Sequence, residues 1–398
     1  MMTTNNLRSV FVAGYARTPI GSLSGSLSQI PVHKLAGPTI LKALERSQIE
    51  KDEVDCLIFG QSLPAGCGPL PLQRVVVATG INLNAKTHLV SNMCCGGLDA
   101  VTLGYELIKG GKDICVVGAM ESMSQSPFYL KNIRTEKYHL GNSLLNDSIV
   151  CDGYDYIVSN KELKRNNNME QFCKKFKIPR VDLDAYVVNS FKRTANAYSD
   201  NLIQQELFPL IIQRKKNPIT NEKTVIETDE MYKKYNLDDI CNLSIDSVVT
   251  SCNTAPFADG ACAIVLMSEH KLNQLQINPL VQIVTYDHAS VYPSDAPLSI
   301  SHSIIKCLKK VNKSSVDYYE INESSALDVV YNIRNLGLDD SNVNINGGAL
   351  SIGHPSSVSG SRILISLITV LKNFDMKLGC ASINNYLGTS TSVIVENV

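Results

Sequence analysis

The sequence predicts an α/β protein built from two similar halves, and three observations carry that prediction. Short β-branched runs alternate with stretches of helical apolar spacing. This alternation occurs twice, once up to residue 122 and again from residue 274 onward. Between the two lies a polar, charged stretch unlike either. Each half reads β-α-β-α with two further strands, although residue identity between the halves is weak.

In the first half, Ser9 to Ala13 reads as a strand. Val32 to Arg46 reads as a helix, with Leu35, Ile40, Leu41 and Leu44 at helical spacing. Asp55 to Gly60 and Thr87 to Val90 read as strands. The helix expected over Gly97 to Lys109 is stopped by Gly110-Gly111, and Asp113 to Ala119 follows as a buried strand. In the second half, Val281 to Thr285 and Val316 to Glu320 read as strands. Leu298 to Val311, Glu323 to Asn335 and Ser359 to Asn373 read as helices, and Lys377 to Ile383 and Thr391 to Glu396 as closing strands. The expected division is 1–122 for the first part of the N-terminal half, 123–249 for an inserted loop subdomain covering the site, 250–273 for the return, and 274–398 for the C-terminal half. A helix over Val181 to Asn196 and the apolar run Leu207 to Ile212 show that the insert folds. Arg214-Lys215-Lys216 reads first as a solvated loop, with attraction of a cofactor phosphate as the lesser alternative.

The chain has 398 residues, 44% of them hydrophobic, enough for large cores. A formal net charge of −1 gives no reason to expect a nucleic-acid partner. Twelve cysteines are scattered without a C-x-x-C pair or zinc-ligand spacing, so reduced thiols and no metal site are expected. No apolar run reaches the ~18–20 residues of a membrane helix, so no membrane association is expected. Neither a secretory signal nor a long Arg/Ser-rich presequence precedes Val10, and the expected compartment is the cytoplasm.

Chemistry concentrates in two loops. Asn344 to Pro355 sets His354 among glycines and small residues, too sparse in side chains for ordinary core packing. Alone, a Gly-His-Pro turn is more simply a histidine on a tight turn. The second loop, His88 to Val101, runs from a strand through Cys94-Cys95-Gly96-Gly97 into a helix. A cysteine at a helix N-terminus meets unsatisfied N–H groups and the positive dipole end, which favour thiolate. The glycines are expected to open the turn and leave N–H groups free for an oxyanion. Together the loops favour a Cys/His nucleophile and base over two crowded structural turns.

Over nearly its whole length the chain resembles the thiolase family of acetyl-CoA C-acyltransferases. Ala16 to Ser22 resembles the family's opening turn. Cys94 to Ala100 falls on Cys-x-Ser-Gly-x-x-Ala, with Cys94 in the nucleophile's place. Gly118 to Ser124, Asn253 to Ala263, Asn322 to Ala326 and Gly353 to Arg362 are similar to further family motifs in the same order. The resemblance implies a five-layered α-β-α-β-α core with an inserted loop subdomain, and a homodimer or homotetramer. It implies acyl-CoA substrates, with coenzyme A or acetyl-CoA as substrate and no tightly bound cofactor. His354 would take the proton of Cys94, and the thiolate would store the acyl group. The oxyanion would lie between His354 and a water fixed by Asn322.

The chain departs from the pattern in the second half-reaction. Asn384 stands where the family carries its acid/base cysteine, and Tyr386 where it carries a glycine. An amide cannot accept an α-proton. Cys380, four residues earlier on an extended strand, is displaced by about 13 Å. The expected coenzyme-binding positions are Ala255, Ser325 and Arg165, where the family has a serine, a phenylalanine and part of a His-Met-Gly loop. The implied reaction is acyl transfer through Cys94, with carbon–carbon condensation impaired. The alternatives are an acyl-CoA hydrolase or non-carbon acyltransferase, and a non-catalytic acyl-CoA-binding homologue.

Overall fold

A computed structural model describes residues 8–135, 141–153, 155–158, 161–217, 220–233 and 247–398. The first half contributes β1 (Val10–Arg17), α1 (Val32–Ser47), β2 (Cys56–Gly60), α2 (Pro71–Thr79), β3 (Lys86–Val90), α3 (Gly96–Lys109) and β4 (Ile114–Ser122). The insert contains α4 (Arg180–Ser199), and β5 (Ala258–Ser268) returns to the first sheet. The second half follows with β6 (Val281–Ser290), α5 (Leu298–Lys310), β7 (Tyr318–Ile321), α6 (Ala326–Leu336), α7 (Val358–Asn373), β8 (Leu378–Asn384) and β9 (Thr389–Asn397).

Strand pairing makes the duplication visible where sequence identity does not. In the first half β1 pairs antiparallel with β5, β5 antiparallel with β4, and β4 parallel with β2. In the second half β6, β9, β8 and β7 repeat that pattern. A short antiparallel contact between β1 and β6, from Val10↔Ile283 to Val12↔Val281, joins the halves into one ten-stranded sheet.

Three apolar layers hold the fold. On the outer face of the first half, Leu35, Ile40 and Leu44 of α1 pack on Leu57, Phe59 and Val116. Between the halves, Leu98 and Val101 of α3 meet Ile363, Leu364 and Leu367 of α7, with Ile58 and Val117 on one side and Ile383 and Val393 on the other. On the outer face of the second half, Ile300 and Ile304 of α5 and Leu327 of α6 cover Ile321, Cys380 and Ile394. Neighbours such as Ile58 and Phe59 divide between two layers because successive side chains of a strand face opposite ways. The result is the expected α-β-α-β-α stack.

Several boundaries moved. β1 runs on to Arg17 because a register shift between Val12 and Gly14 absorbs the break in alternation. β6 continues to Ser290 along its partner β9. The helix expected from Glu323 begins only at Ala326: Ser325 is extended and its hydroxyl accepts from the Asp328 N–H as N-cap. The sequence reading passed over α2, whose start is set by Pro71 in the first turn. Leu207 to Ile212 leads into a strand over Leu210–Asn217, which also contains Arg214-Lys215-Lys216; those three side chains lie outside the described residues.

Candidate active site

The duplication brings the N-terminal ends of α3 and α7 together in the middle layer. They cross closely because two positions lack a side chain. A Cβ on Gly97 would stand 2.3 Å from the Ser357 carbonyl oxygen, and one on Gly360 would stand 2.6 Å from the Leu98 nitrogen. The Gly97 N–H donates to the Ser357 carbonyl at 3.1 Å, and the Gly96 N–H turns back to Met93. These glycines therefore do not leave their N–H groups free, as the sequence suggested; they bring the cysteine and histidine loops into contact.

Cys94 lies in a short 3₁₀ turn, Met93–Cys95, that runs into α3. Met93 holds a left-handed φ of 48°, a conformation a long side chain pays for with about 1–3 kcal/mol. Its carbonyl is pinned by the Ser357 hydroxyl at 2.8 Å. The turn points Cys94 Sγ at His354 Nε2, 3.0 Å away, with Ser356 Oγ at 3.9 Å. Cys95 points elsewhere, towards the carbonyls of Ile383 and Thr389, and burial pushes its thiol well above the ordinary range.

His354 follows Gly353, whose φ of 105° suits glycine, and its N–H donates to the Pro256 carbonyl at 2.8 Å. Its Nδ1 lies 2.7 Å from Ser359 Oγ, which fixes the ring plane. Cys94 and His354 share a cavity of about 30 Å³ with apolar walls from Leu63, Met93, Met123 and Phe257 and polar groups from Ser324 and Ser356. Below it the hydroxyls of Ser62, Ser356 and Ser357 cluster at 2.6–2.7 Å. The N–H groups of Ser62 and Leu63 donate to Glu121, whose carboxyl burial pushes up to about 7.

Asn322 sits at the end of β7, fully buried. Its amide N–H donates to Ser324 Oγ at 2.8 Å, and its oxygen accepts from Arg362 Nη2 at 3.3 Å. Arg362 in turn pairs with Glu320 at 3.3 Å; burial pushes that carboxyl up to about 8 against the pull of the guanidinium.

Asn384, at the end of β8, does not line the Cys94 cavity. It lines an adjoining one of about 30 Å³ with Asp328 and Pro297, and the two cavities share Ser324 and Tyr386 as boundary residues. The Asn384 amide donates to Asp328 Oδ1 at 3.0 Å and to the Ala296 carbonyl at 3.2 Å. Ser325, an expected coenzyme contact, is fully buried and gives its hydroxyl to Asp328 at 2.8 Å. Ala255 packs in the outer core of the second half, its N–H bonded to the Ser324 carbonyl. Neither residue lines these cavities. Arg165 opens a helix over Arg165–Phe176, and its side chain lies outside the described residues. The sequence assigned no role to Ser324, Ser356 or Ser359; only the crossing of α3 and α7 and the end of β7 assemble them. Among the described residues no group of His, Cys, Asp or Glu is gathered to hold a metal ion, and no helix is long and apolar enough to cross a membrane.

Family profiles match this architecture along the chain, the thiolase N-terminal domain over residues 10–270 and the thiolase C-terminal domain over residues 277–397. The chain belongs to the thiolase family. It is 34% identical over 400 residues to an acetyl-CoA acetyltransferase of Schizosaccharomyces pombe, covering 98% of this chain and 99% of that protein. It is 33% identical over 400 residues to the mitochondrial acetyl-CoA acetyltransferase A of Xenopus laevis, covering 98% of this chain and 93% of that one. A crystal structure of an Ascaris suum thiolase in complex with coenzyme A superposes with a TM-score of 0.89 at 26% identity, over 98% of this chain and all of that one.

Proposed function

We propose that this thiolase is an acetyl-CoA C-acetyltransferase that works through an acyl-Cys94 intermediate. The observation that carries the reading is the 3.0 Å contact of Cys94 Sγ with His354 Nε2 in a small cavity. With Nδ1 protonated and donating to Ser359, Nε2 accepts the thiol proton. The thiolate attacks the thioester carbonyl carbon, the new C–S bond forms, and the bond to coenzyme A breaks. The departing coenzyme A thiolate takes the proton back from His354. The acyl group then passes to a second coenzyme A or to the α-carbon of acetyl-CoA. The second route needs a base for the α-proton, and Asn384, an amide, is not one. The proposed enzyme therefore exchanges acyl groups with coenzyme A faster than it makes or breaks carbon–carbon bonds.

The test compares two assays on one preparation, exchange of labelled coenzyme A into acetyl-CoA and thiolysis of acetoacetyl-CoA, with Cys94→Ala as the blank. Exchange well above the blank supports the reading; exchange at the blank level removes it. A second reading, transfer of the acyl group to water, draws on the same Asn384 substitution. It predicts release of coenzyme A from acetyl-CoA with no acceptor added, and its absence would remove that reading.

The insert 123–249 is proposed as the cover of the site, supported by Met123 and Gly153 at the Cys94 cavity and Asn168 at its neighbour. A homodimer or homotetramer is supported by the exposed apolar side chains of Leu83, Leu89 and Phe128, and light scattering at a single mass of one chain would exclude it. A cytoplasmic, reducing setting is supported by the free cysteines among the described residues; imaging of the tagged protein in another compartment would overturn it.

A further inference from the structure

Ser324 is a polar group at the reacting cavity that the mechanism above leaves without a task. It lies in the extended link between β7 and α6, where the resembling family pattern has alanine. Its side chain lines the same cavity as Cys94 and His354. Behind it runs a chain of donors pointing one way: Arg362 Nη2 to Asn322 Oδ1 at 3.3 Å, then Asn322 Nδ2 to Ser324 Oγ at 2.8 Å. Glu320 anchors the far end on Arg362 at 3.3 Å. Arg362, Asn322 and Glu320 are each no more than 2% exposed, so water does not screen the chain. Donation in series polarises each following group, and the Ser324 hydroxyl becomes a better donor than an isolated serine.

We propose that Ser324 is a catalytic residue of acylation, donating its O–H to the thioester oxygen as that oxygen becomes an oxyanion. It thereby takes the place that the family resemblance gave to a water fixed by Asn322. This assignment rests on the acyl-Cys94 reading. When Cys94 Sγ bonds to the carbonyl carbon, the π electron pair moves onto oxygen, where His354 and Ser324 receive it. When the bond to coenzyme A breaks, the pair returns to the carbonyl and the charge leaves with coenzyme A, neutralised by the proton held on His354. Asn322 and Arg362 do not reach the substrate; they are positioning residues that act through Ser324. The competing explanation makes Ser324 only a structural partner for the Asn322 amide.

Rapid-quench intact-mass measurement of acetyl-Cys94 formation from acetyl-CoA separates these, run on wild type, Ser324→Ala and Ser324→Thr. In parallel, alkylation of Cys94 by iodoacetamide reports the thiolate without requiring any oxyanion. Ser324→Ala should acylate about tenfold more slowly or worse while alkylating within about twofold of wild type. Ser324→Thr, which keeps the hydroxyl, should recover most of the acylation rate. Acylation of Ser324→Ala at the wild-type rate would overturn the assignment alone, as would acylation and alkylation falling together. No adduct in wild type would overturn the acyltransferase reading and this assignment with it.

Discussion

The two ends of the reacting region are built on the same repeated scaffold and are equipped in opposite ways. At the Cys94 end, a left-handed Met93, a close helix crossing and a serine-held histidine all hold one sulfur 3.0 Å from one nitrogen. At the Asn384 end, the side chain in the place of the family's second cysteine is tied to Asp328 and to the Ala296 carbonyl. It lines an adjoining cavity that shares Ser324 and Tyr386 with the first. The first end presents a reactive pair; the second presents an amide that neither takes nor gives a proton near neutral pH. The proposed division between acyl exchange and carbon–carbon chemistry follows this contrast, because each step draws on a different loop.

Substitutions at the two ends break this contrast in graded ways. Cys94→Ala should reduce coenzyme A exchange by ~10³-fold or more, since no other group stores the acyl chain. His354→Ala should reduce exchange by ~10²- to 10⁴-fold through loss of the base, read in the same assay. At the other end, Asn384→Cys should raise acetoacetyl-CoA formation by ~10²-fold while leaving exchange unchanged. A wild type that already condenses rapidly, and gains nothing from this substitution, would erase the contrast. Ser359→Ala should slow exchange by up to about tenfold, the worth of one hydrogen bond of ~1.4 kcal/mol that orients the imidazole.

The smallest effect lies under the Cys94 end. Burial raises the Glu121 carboxyl to about 7, so the folded chain keeps a proton there that the unfolded chain releases near pH 4.5. The stabilisation is fully present below that lower value and is lost as pH rises towards 7, at no more than about 1.4 kcal/mol per pH unit. Thermal melts between pH 5 and 7 should show this fall, and Glu121→Gln should reduce its slope whatever its own melting temperature, leaving the part owed to the buried Glu320 carboxyl. An unchanged slope in the variant would place the titration elsewhere.

Much of the site was legible as ordered motifs. Cys94 and His354 stand in loops whose glycines and small residues already looked chemical, and the departure at Asn384 was visible as a missing thiol. The glycines' purpose was not legible. Nothing local distinguishes a glycine that frees an N–H from one that admits a neighbouring helix, and Gly97 proved to be the second kind. Ser325 read as a coenzyme-binding position because its place in the motif is known. Its hydroxyl instead caps α6, a competition settled by the helix start at Ala326. Ser324, Ser356 and Ser359 carry no periodic or spacing signal, since their partners lie on other elements.

By itself the sequence determined the α/β class, the two-fold repetition, the cysteine and histidine loops that the fold brings together, and an asparagine at position 384. Each of these is written in local pattern or residue type, which the chain carries wherever it folds. Tertiary structure alone decided that Cys95 turns towards the carbonyls of Ile383 and Thr389, that Asn384 lines a cavity adjoining that of Cys94, and that Arg362, Asn322 and Ser324 form one line of donors. Those outcomes depend on how closely α3 crosses α7 and on where β7 and β8 end. Distances between segments some 260 residues apart, as Cys94 and His354 are, arise only when the layers pack.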